Sequence, residues 1–98
     1  MANSLFAIGA YDQNQLVGLI RVVGDGLTII YIQDLLVNPA HQRRGIGTKL
    51  INNVLKKYKS VRQKVLLTEN IVKTRMFYES CDFNPCDKYD LIAFYKDF

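Results

Sequence analysis

Two arginines and two glycines lie together in the segment Gln42-Arg43-Arg44-Gly45-Ile46-Gly47. Arginine carries a permanent positive charge on a planar fork that matches phosphate oxygens. Glycine has no Cβ, so the backbone at Gly45 and Gly47 can come close to a ligand. The free N–H groups of a first helical turn, at the positive end of the helix dipole, form an anion site. The segment therefore predicts a grip for a pyrophosphate, provided that a helix begins here.

The sequence on either side of this segment indicates that a helix begins there. Residues 27–37 are nearly all apolar, so we expect a central strand buried on both faces. The polar pair Gln33-Asp34 interrupts this strand and indicates a bulge or an opening that faces a ligand. In residues 46–59 the apolar side chains recur on one helical face. The glycine segment would then join the end of a strand to the start of a helix.

The rest of the chain has the patterns of further strands and one more helix. The strands are expected at 4–11, 16–23, 65–68 and 89–96, and the helix at 71–80. The first two strands form a hairpin, and the strand at 65–68 follows a crossover helix, so it should run parallel to residues 27–37. The predicted order is β-β-β-α-β-α-β, an α+β fold with a mixed, mostly antiparallel sheet in a single domain spanning 1–98.

Composition narrows the class of protein. The 98 residues suffice for one core, and 49% hydrophobic content is ordinary for a globular domain. No apolar run approaches the ~20 residues of a membrane helix, and the N-terminus has no signal-peptide pattern. Cys81, Cys86 and a single histidine make a poor zinc site, so we expect no metal. Reduced thiols and a cytoplasmic location fit best.

The charge is positive, with thirteen Lys and Arg against nine acids and a formal net charge of +4. This suits an anionic ligand without requiring nucleic acid. A nucleic-acid surface needs aromatic side chains between Lys and Arg on one exposed face, and most aromatic residues here fall in apolar strand positions. We therefore expect neither nucleic acid nor a membrane as a partner, and keep nucleic-acid binding as the weaker alternative.

The glycine segment has features of three nucleotide-binding motifs. A Walker A loop ends Gly-Lys-Ser/Thr, whereas Thr48-Lys49 stands in the reverse order. A dinucleotide fingerprint needs a third glycine where Leu50 stands. The pattern Gln/Arg-x-x-Gly-x-Gly/Ala is matched at every fixed position. With the later Phe77-Tyr78-Glu79-Ser80-Cys81-Asp82-Phe83 segment, the chain resembles the GNAT superfamily of acetyl-CoA-dependent N-acetyltransferases.

The resemblance implies a site for the co-substrate acetyl-CoA. In that family the loop holds the pyrophosphate of CoA through backbone N–H groups. Carried over, the loop residues are Gln42, Arg43, Arg44, Gly45, Ile46, Gly47 and Thr48. The end of the preceding strand bonds the pantetheine arm through its backbone, and here that end is Leu35, Leu36 and Val37.

The resemblance also implies a general acid. Tyr78 matches the tyrosine that in many members protonates the departing CoA thiolate, and a phenol is chemically suited to that task. Asn70 is the nearest match to an asparagine that contacts CoA. Asp82 stands where the family has glycine, and we expect the turn to survive because Asp can adopt a left-handed conformation.

The base and the acceptor stay open. Tyr31 occupies the place of a glutamate that serves some members as a base, which leaves Asp34, Glu69 or water alone. The resemblance implies direct attack of a primary amine on acetyl-CoA, and a CoA-binding module without catalysis is the alternative. Family members usually have a strand and helices before the hairpin, so we expect an incomplete acceptor site and self-association as a homodimer.

Overall fold

The computed structural model describes residues 5–42 and 44–97. The elements are strands β1 (Phe6–Asp12), β2 (Gln15–Gly24), β3 (Ile29–Val37) and β4 (Gln63–Leu66), helices α1 (Ile46–Lys57) and α2 (Val72–Ser80), and 3₁₀ turns at Pro39–His41 and Cys86–Tyr89. The strands form one sheet in the order β1-β2-β3-β4. The α+β class with a mixed sheet is confirmed.

The chain divides into two compact units, one ending at Leu67 and the other beginning at Thr68. The first unit contains the sheet and α1, and the second contains α2 and the later 3₁₀ turn. The predicted helices are confirmed in type and place, with ends shifted by one or two residues.

The first unit begins with the predicted hairpin. Gln13 and Asn14 have φ values of 50° and 69° between the paired residues Asp12 and Gln15. Two successive positive φ values define a type I′ turn, whose twist matches that of the flanking strands. β2 then pairs antiparallel with β3, and β3 pairs parallel with β4. The predicted parallel pair is therefore confirmed.

A bulge interrupts β3 at the predicted polar pair. Arg21 of β2 lies opposite Asp34, and the next residue, Val22, lies opposite Ile32, so Gln33 is the extra residue. The Arg21 Nε donates to Asp34 Oδ2 at 2.8 Å across the two strands. The bulge is confirmed, and the ion pair accounts for an acid inside an otherwise apolar strand.

The core lies between the sheet and α1. The helix buries Leu50, Ile51 and Val54 against sheet residues that include Ile20 and Ile30. Approach is closest at Gly18, where an added Cβ would lie 2.9 Å from Ile46 Cγ2 and 3.3 Å from Leu50 Cδ1. The start of α1 therefore packs directly on the backbone of β2.

Two predictions about strands are wrong. β3 is central but is not buried on both faces: only Ile30 and Ile32 are buried, and Leu36 is 59% exposed. The reason is that α1 packs on one face of the sheet, so alternate residues of β3 point away from it. Apolar composition alone cannot separate a strand covered on two faces from one covered on one.

The expected final strand at 89–96 is the second error. Tyr89 ends a 3₁₀ turn, Asp90 is left-handed with φ 60°, and residues 91–97 are irregular. The pattern of Leu91, Ile92, Phe94 and Tyr95 is strand-like, but a strand forms only where its backbone can hydrogen-bond to a neighbouring strand.

No helix among residues 5–42 and 44–97 has the length and apolar composition to span a bilayer.

Candidate functional site

The loop between β3 and α1 starts from a fixed point. Asn38 donates its backbone N–H to the Val17 carbonyl at 2.8 Å, which ties the end of β3 to β2. Its side-chain Oδ1 accepts from the N–H of Ala40 at 2.9 Å, and its carbonyl accepts from the N–H of His41 at 2.8 Å. Pro39 begins the 3₁₀ turn, where its fixed φ is pre-set and no N–H is needed. The chain thus enters the glycine loop in one conformation.

Gly45 forms the N-cap of α1 in a left-handed conformation, with φ 76° and ψ 11°. No side chain in the described part of the chain caps the helix, and its first turn holds no acidic residue. The first helical bond runs from the N–H of Lys49 to the Gly45 carbonyl at 3.0 Å. The N–H groups of Ile46, Gly47 and Thr48 precede this first intrahelical donor and have no acceptor among residues 5–42 and 44–97, so they can bond a ligand.

Space is available where that ligand would lie. A Cβ built at Gly45 meets no atom of the described residues within 4 Å. Gly45 is therefore required by its φ and not by crowding from the rest of the protein. Free donors, open space and the positive end of a helix dipole together can hold an anion.

The end of β3 offers a second set of backbone groups. β3 pairs with β4 only from Ile29 to Ile32, whereas it stays paired with β2 as far as Val37. Within the first unit, residues 33–37 thus have no strand partner on the β4 side. Backbone groups on that side can bond an extended ligand as a further strand would. Leu35 and Val37 are half-buried, which is compatible with core packing by the side chains and ligand binding by the backbone.

The first unit brings most of the predicted CoA residues to one junction, where β3 leads into α1. These residues are Leu35, Leu36, Val37, Gln42, Arg44, Gly45, Ile46, Gly47 and Thr48. Arg43 lies outside the described residues, so its predicted part in the loop stays a prediction. Binding of CoA by the set as a whole also stays a prediction.

Tyr78 lies near the end of α2, in the second unit, and its side chain is half-buried. Its ring contacts those of Phe77 and Phe83 edge-on, with centroids 5.0 Å and 6.0 Å away. Burial raises the pKa of the Tyr78 phenol above its ordinary value, and the charge of a nearby Cys81 thiolate would raise it further. The hydroxyl therefore stays protonated at neutral and mildly alkaline pH, as a hydrogen-bond donor must.

The turn after α2 survives without glycine. Asp82 has φ 70° and donates its N–H to the Glu79 carbonyl at 3.1 Å, and Phe83 donates its N–H to the Tyr78 carbonyl at 3.1 Å. These two bonds, with one left-handed residue between them, form a Schellman motif. The expectation for Asp82 is confirmed.

Two of the other proposed polar side chains, Asn70 and Asp34, have structural partners. Asn70 lies just before α2, where its Oδ1 accepts from Arg75 Nη1 at 3.3 Å. Asp34 is engaged by Arg21, as described above. Glu69 is bonded only through its backbone carbonyl, which accepts from the N–H of Ile71 at 2.9 Å, and its exposed carboxylate has no partner among the described residues. Contact of Asn70 with CoA and a role for Asp34 or Glu69 as a base remain predictions.

His41 ends the 3₁₀ turn before the glycine loop, but its side chain is mostly buried. The side chain is only 15% exposed, and its Nε2 lies 3.2 Å from Asp12 Oδ2. Its Nδ1 is buried with no partner among the described residues. With Arg44 and Lys49 it lines a cavity of about 400 Å³ between β1 and α1. Asp12 and His41 are 29 residues apart, and no local pattern announces their contact.

The fold and this junction define the class of protein. A GNAT-type fold has three such features. It has a mixed sheet, a crossover helix that begins at a glycine loop, and a central strand that extends beyond the end of its parallel neighbour. Residues 3–85 match the family model described as the acetyltransferase (GNAT) domain, and the chain belongs to that family.

Among residues 5–42 and 44–97, no three His, Cys, Asp or Glu side chains lie close enough together to hold a metal ion.

Known proteins agree with this assignment. The chain is 38% identical to the GNAT family acetyltransferase SP0256 from Streptococcus pneumoniae, with a TM-score of 0.95 over 99% of this chain and 74% of that one. It is 30% identical over 77 residues to FG08082 of Gibberella zeae, a protein named among the acetyltransferases. That match covers 76% of this chain but only 42% of the relative, so the chain spans less than half of that protein's length.

A third comparison concerns the fold alone. The aminoglycoside N-acetyltransferase AAC(6')-Iy, solved in complex with CoA, superposes with a TM-score of 0.72 at 16% identity. The superposition covers 94% of this chain and 75% of that one.

Proposed function

We propose that this chain transfers an acetyl group from acetyl-CoA to a primary amine by direct attack. The observation that carries the proposal is the start of α1, where three backbone N–H groups after Gly45 have no acceptor among the described residues and lie beside open space. A pyrophosphate satisfies such groups. Membership of the GNAT family, and the CoA complex of a protein with the same fold, support acetyl-CoA as its source.

Substrate binding would use backbone on both sides of the junction. The pyrophosphate binds Gln42 to Thr48, and the pantetheine arm extends along residues 35–37, where β3 has no strand partner on the β4 side within the first unit. Backbone N–H groups of β3 then polarise the thioester carbonyl and stabilise the oxyanion that forms on it. Holding amine and thioester together replaces a bimolecular encounter with an oriented one.

The chemical step needs no covalent enzyme intermediate. The neutral amine nitrogen attacks the thioester carbon, a C–N bond forms, and the C–S bond breaks with the electron pair passing to sulfur. Tyr78 donates a hydrogen bond and then its proton to that sulfur. Because the raised pKa of Tyr78 makes the phenol a weaker acid than the thiol, we expect the hydrogen bond first and the completed transfer as CoA leaves. The proton lost by the amine passes to Asp34, Glu69 or water, and a proton from this group or from solvent returns to the Tyr78 phenolate.

The second candidate is CoA binding without turnover. It is favoured by one observation: the groups expected to hold CoA are backbone groups at the start of α1 and the end of β3, whereas Asp34, a candidate base, is engaged by Arg21. A CoA-binding module would bind acetyl-CoA at the same junction but would not transfer its acetyl group.

Calorimetric titration with acetyl-CoA tests the proposal. We expect micromolar binding by the wild type and loss of binding in Gly45→Glu, whose side chain would fill the open space and repel the pyrophosphate. Gly26→Glu is the matched control, because Gly26 has a similar φ of 73° in the β2–β3 turn and its Cβ position meets only the Leu5 side chain. It adds the same charge and the same backbone strain away from the loop.

The two candidates separate at the next step. A folded wild type that fails to bind acetyl-CoA, or a Gly45→Glu variant that binds as well as Gly26→Glu, would contradict both. Binding followed by release of free CoA thiol with a panel of primary amines supports the transferase. Binding with no thiol release on any amine supports the module.

A further inference from the structure

The bulge in β3 lies between two parts of the strand that have different neighbours. As far as Ile32, β3 pairs with β2 on one side and with β4 on the other. Gln33 is the extra residue, and after it β3 stays paired only with β2 within the first unit. A bulge bends its strand and increases the local twist. The bulge therefore lies where β3 becomes open to a ligand on the β4 side.

The residues that follow the bulge alternate between the two faces of the sheet, and residues directly opposed in a strand pair share a face. Leu35 lies opposite Ile20, which is two residues from Gly18 and fully buried on the face that α1 covers. Asp34 lies opposite Arg21 on the other face, where the two side chains are 35% and 30% exposed. The carboxylate of Asp34 therefore reaches both its partner and water.

We propose that Asp34 selects this bulge and so decides which backbone groups of residues 35–37 face the β4 side. Pantetheine binding by those groups is part of the proposed function, on which this inference rests. Asp34 is then a positioning residue, because it acts through the register of β3 and does not itself touch the ligand. This role is separate from its candidate role as a base.

The alternative to the bulge is a continuous strand that slips by one residue. Without an extra residue, Asp34 would lie opposite Ile20 instead of Arg21. Its carboxylate would enter the core beneath α1 and lose its partner, and an unpaired charge in a core is strongly unfavourable. The bulge avoids this cost because its extra residue, the exposed Gln33, moves Asp34 to the other face.

The apolar side chains after the bulge do not select the register by themselves. A slip would put Leu35 at the position of Leu36, and Leu36 at the position of Val37. These exchanges replace one aliphatic side chain by another of similar size, which costs little. Of residues 34–37, only Asp34 has a side chain that the core excludes.

The register also fixes the direction of the backbone groups. Asn38 donates its N–H to the Val17 carbonyl of β2. Because successive residues of a strand direct their N–H and C=O groups to opposite sides, Leu36 also faces β2, whereas Leu35 and Val37 face the β4 side. A slip by one residue would exchange the two sets. The ligand would then meet the backbone of residues 34 and 36.

A disulfide between opposed positions tests the register. Leu19 lies opposite Leu36 on the face away from α1, so Leu19→Cys with Leu36→Cys should cross-link within one chain on brief oxidation. The exposed Cys86 is replaced by serine, and mass spectrometry detects the bond. Adding Asp34→Leu, or Asp34→Ala if the leucine variant does not fold, should abolish the cross-link. Adding Asp34→Asn should preserve it, because the core also excludes an amide, which can still accept from Arg21.

Two ligands connect the register to binding. Acetyl-CoA is compared with adenosine 3′-phosphate 5′-diphosphate, which is CoA without its pantetheine arm. Asp34→Leu should lower the affinity for acetyl-CoA about tenfold more than the affinity for this fragment, because backbone hydrogen bonds to pantetheine are lost. Asp34→Asn should keep the wild-type ratio of the two affinities. Arg21→Leu should change the ratio less than Asp34→Leu does, because an unpaired Asp34 is still excluded from the core.

Thermal unfolding confirms that each variant is folded. A cross-link that persists in folded Asp34→Leu would overturn the role of Asp34, whether or not the chain binds acetyl-CoA. Equal changes of the ratio in Arg21→Leu and Asp34→Leu would also overturn it, because only the ion pair would then matter. If the cross-link depends on Asp34 as expected but the wild type binds neither ligand, the selection of the register is supported and the proposed function is contradicted.

Discussion

Phe83 donates its backbone N–H to the carbonyl of Tyr78 at 3.1 Å, and the two rings also meet edge-on, 6.0 Å apart. The hydrogen bond crosses the end of α2 and closes only because Asp82, between them, is left-handed. The place of the proposed acid on its helix therefore depends on one residue in a conformation that favours glycine.

Replacing that residue by glycine should stabilise the protein. Asp82→Gly relieves a left-handed cost of ~1–2 kcal/mol and adds chain entropy of ~0.4–1 kcal/mol to the unfolded state, so we expect a net gain between zero and ~1.6 kcal/mol. Urea denaturation measures it. Asp82→Ala removes the same carboxylate but keeps a Cβ, and it should not stabilise. Lower stability in Asp82→Gly would show that the aspartate side chain contributes to the turn.

Removing the hydroxyl of Tyr78 should slow catalysis. Loss of a general acid typically lowers the rate by ~10²–10⁴-fold, and we expect this for kcat in Tyr78→Phe with acetyl-CoA affinity unchanged. The pKa of Tyr78 is raised by burial, so the wild type should show no alkaline loss from this group below about pH 10. Tyr95→Phe, at a side chain 72% exposed, is the control. Full activity of Tyr78→Phe at every pH would exclude the role.

The turn between β2 and β3 should make the stability of the fold depend on pH in the acidic range. Asp25 accepts hydrogen bonds from the N–H groups of Leu27, Thr28 and Ile29 and from the Thr28 hydroxyl. The Thr28 hydroxyl, followed by these N–H groups, holds the pKa of Asp25 well below its ordinary value. A depressed folded pKa gives stability that is present above the unfolded value of about 4 and is lost as pH falls below it.

Asp25→Asn should therefore be less stable than the wild type at pH 7, with a difference that shrinks below about pH 4. Thermal unfolding across pH measures it. Asp87→Asn is the comparison, since Asp87 is an exposed acid for which no such set of bonds is found. A difference between wild type and Asp25→Asn that stays constant with pH would mean that the carboxylate charge is not what the turn uses.

A methyl group added at Gly18 should affect ligand binding because it pushes against the start of α1. Its Cβ would lie 2.9 Å from Ile46 Cγ2 and 3.3 Å from Leu50 Cδ1. Gly18→Ala should cost ~1–3 kcal/mol of stability from overpacking and should weaken acetyl-CoA binding, because Ile46 opens the helix that holds the anion. Gly9→Ala, which meets the movable and exposed Leu16, should cost less and leave binding intact. If Gly18→Ala is destabilised but binds acetyl-CoA as well as the wild type, the packing of α1 on β2 does not control the anion site.

Local patterns predicted much of this molecule. The hairpin, α1 and the bulge at Gln33 each follow from a few adjacent residues whose preferences agree with the fold. The His41–Asp12 contact joins residues far apart in the chain, and its geometry exists only after the sheet forms. The expected strand at 89–96 failed for a related reason: its residues suit a strand, but pairing is decided by a partner that the segment itself does not contain.

The anchoring of Asn38 limits where the chain can change length. Its N–H is bonded to β2 and its side chain caps the following turn, while Gly45 is fixed as the N-cap of α1. An insertion between these two anchors would have to displace one of them, whereas one at the Gln13-Asn14 tip would only lengthen a hairpin. Natural variation in loop length is therefore expected at the tip of the hairpin and not in the eight positions from Asn38 to Gly45.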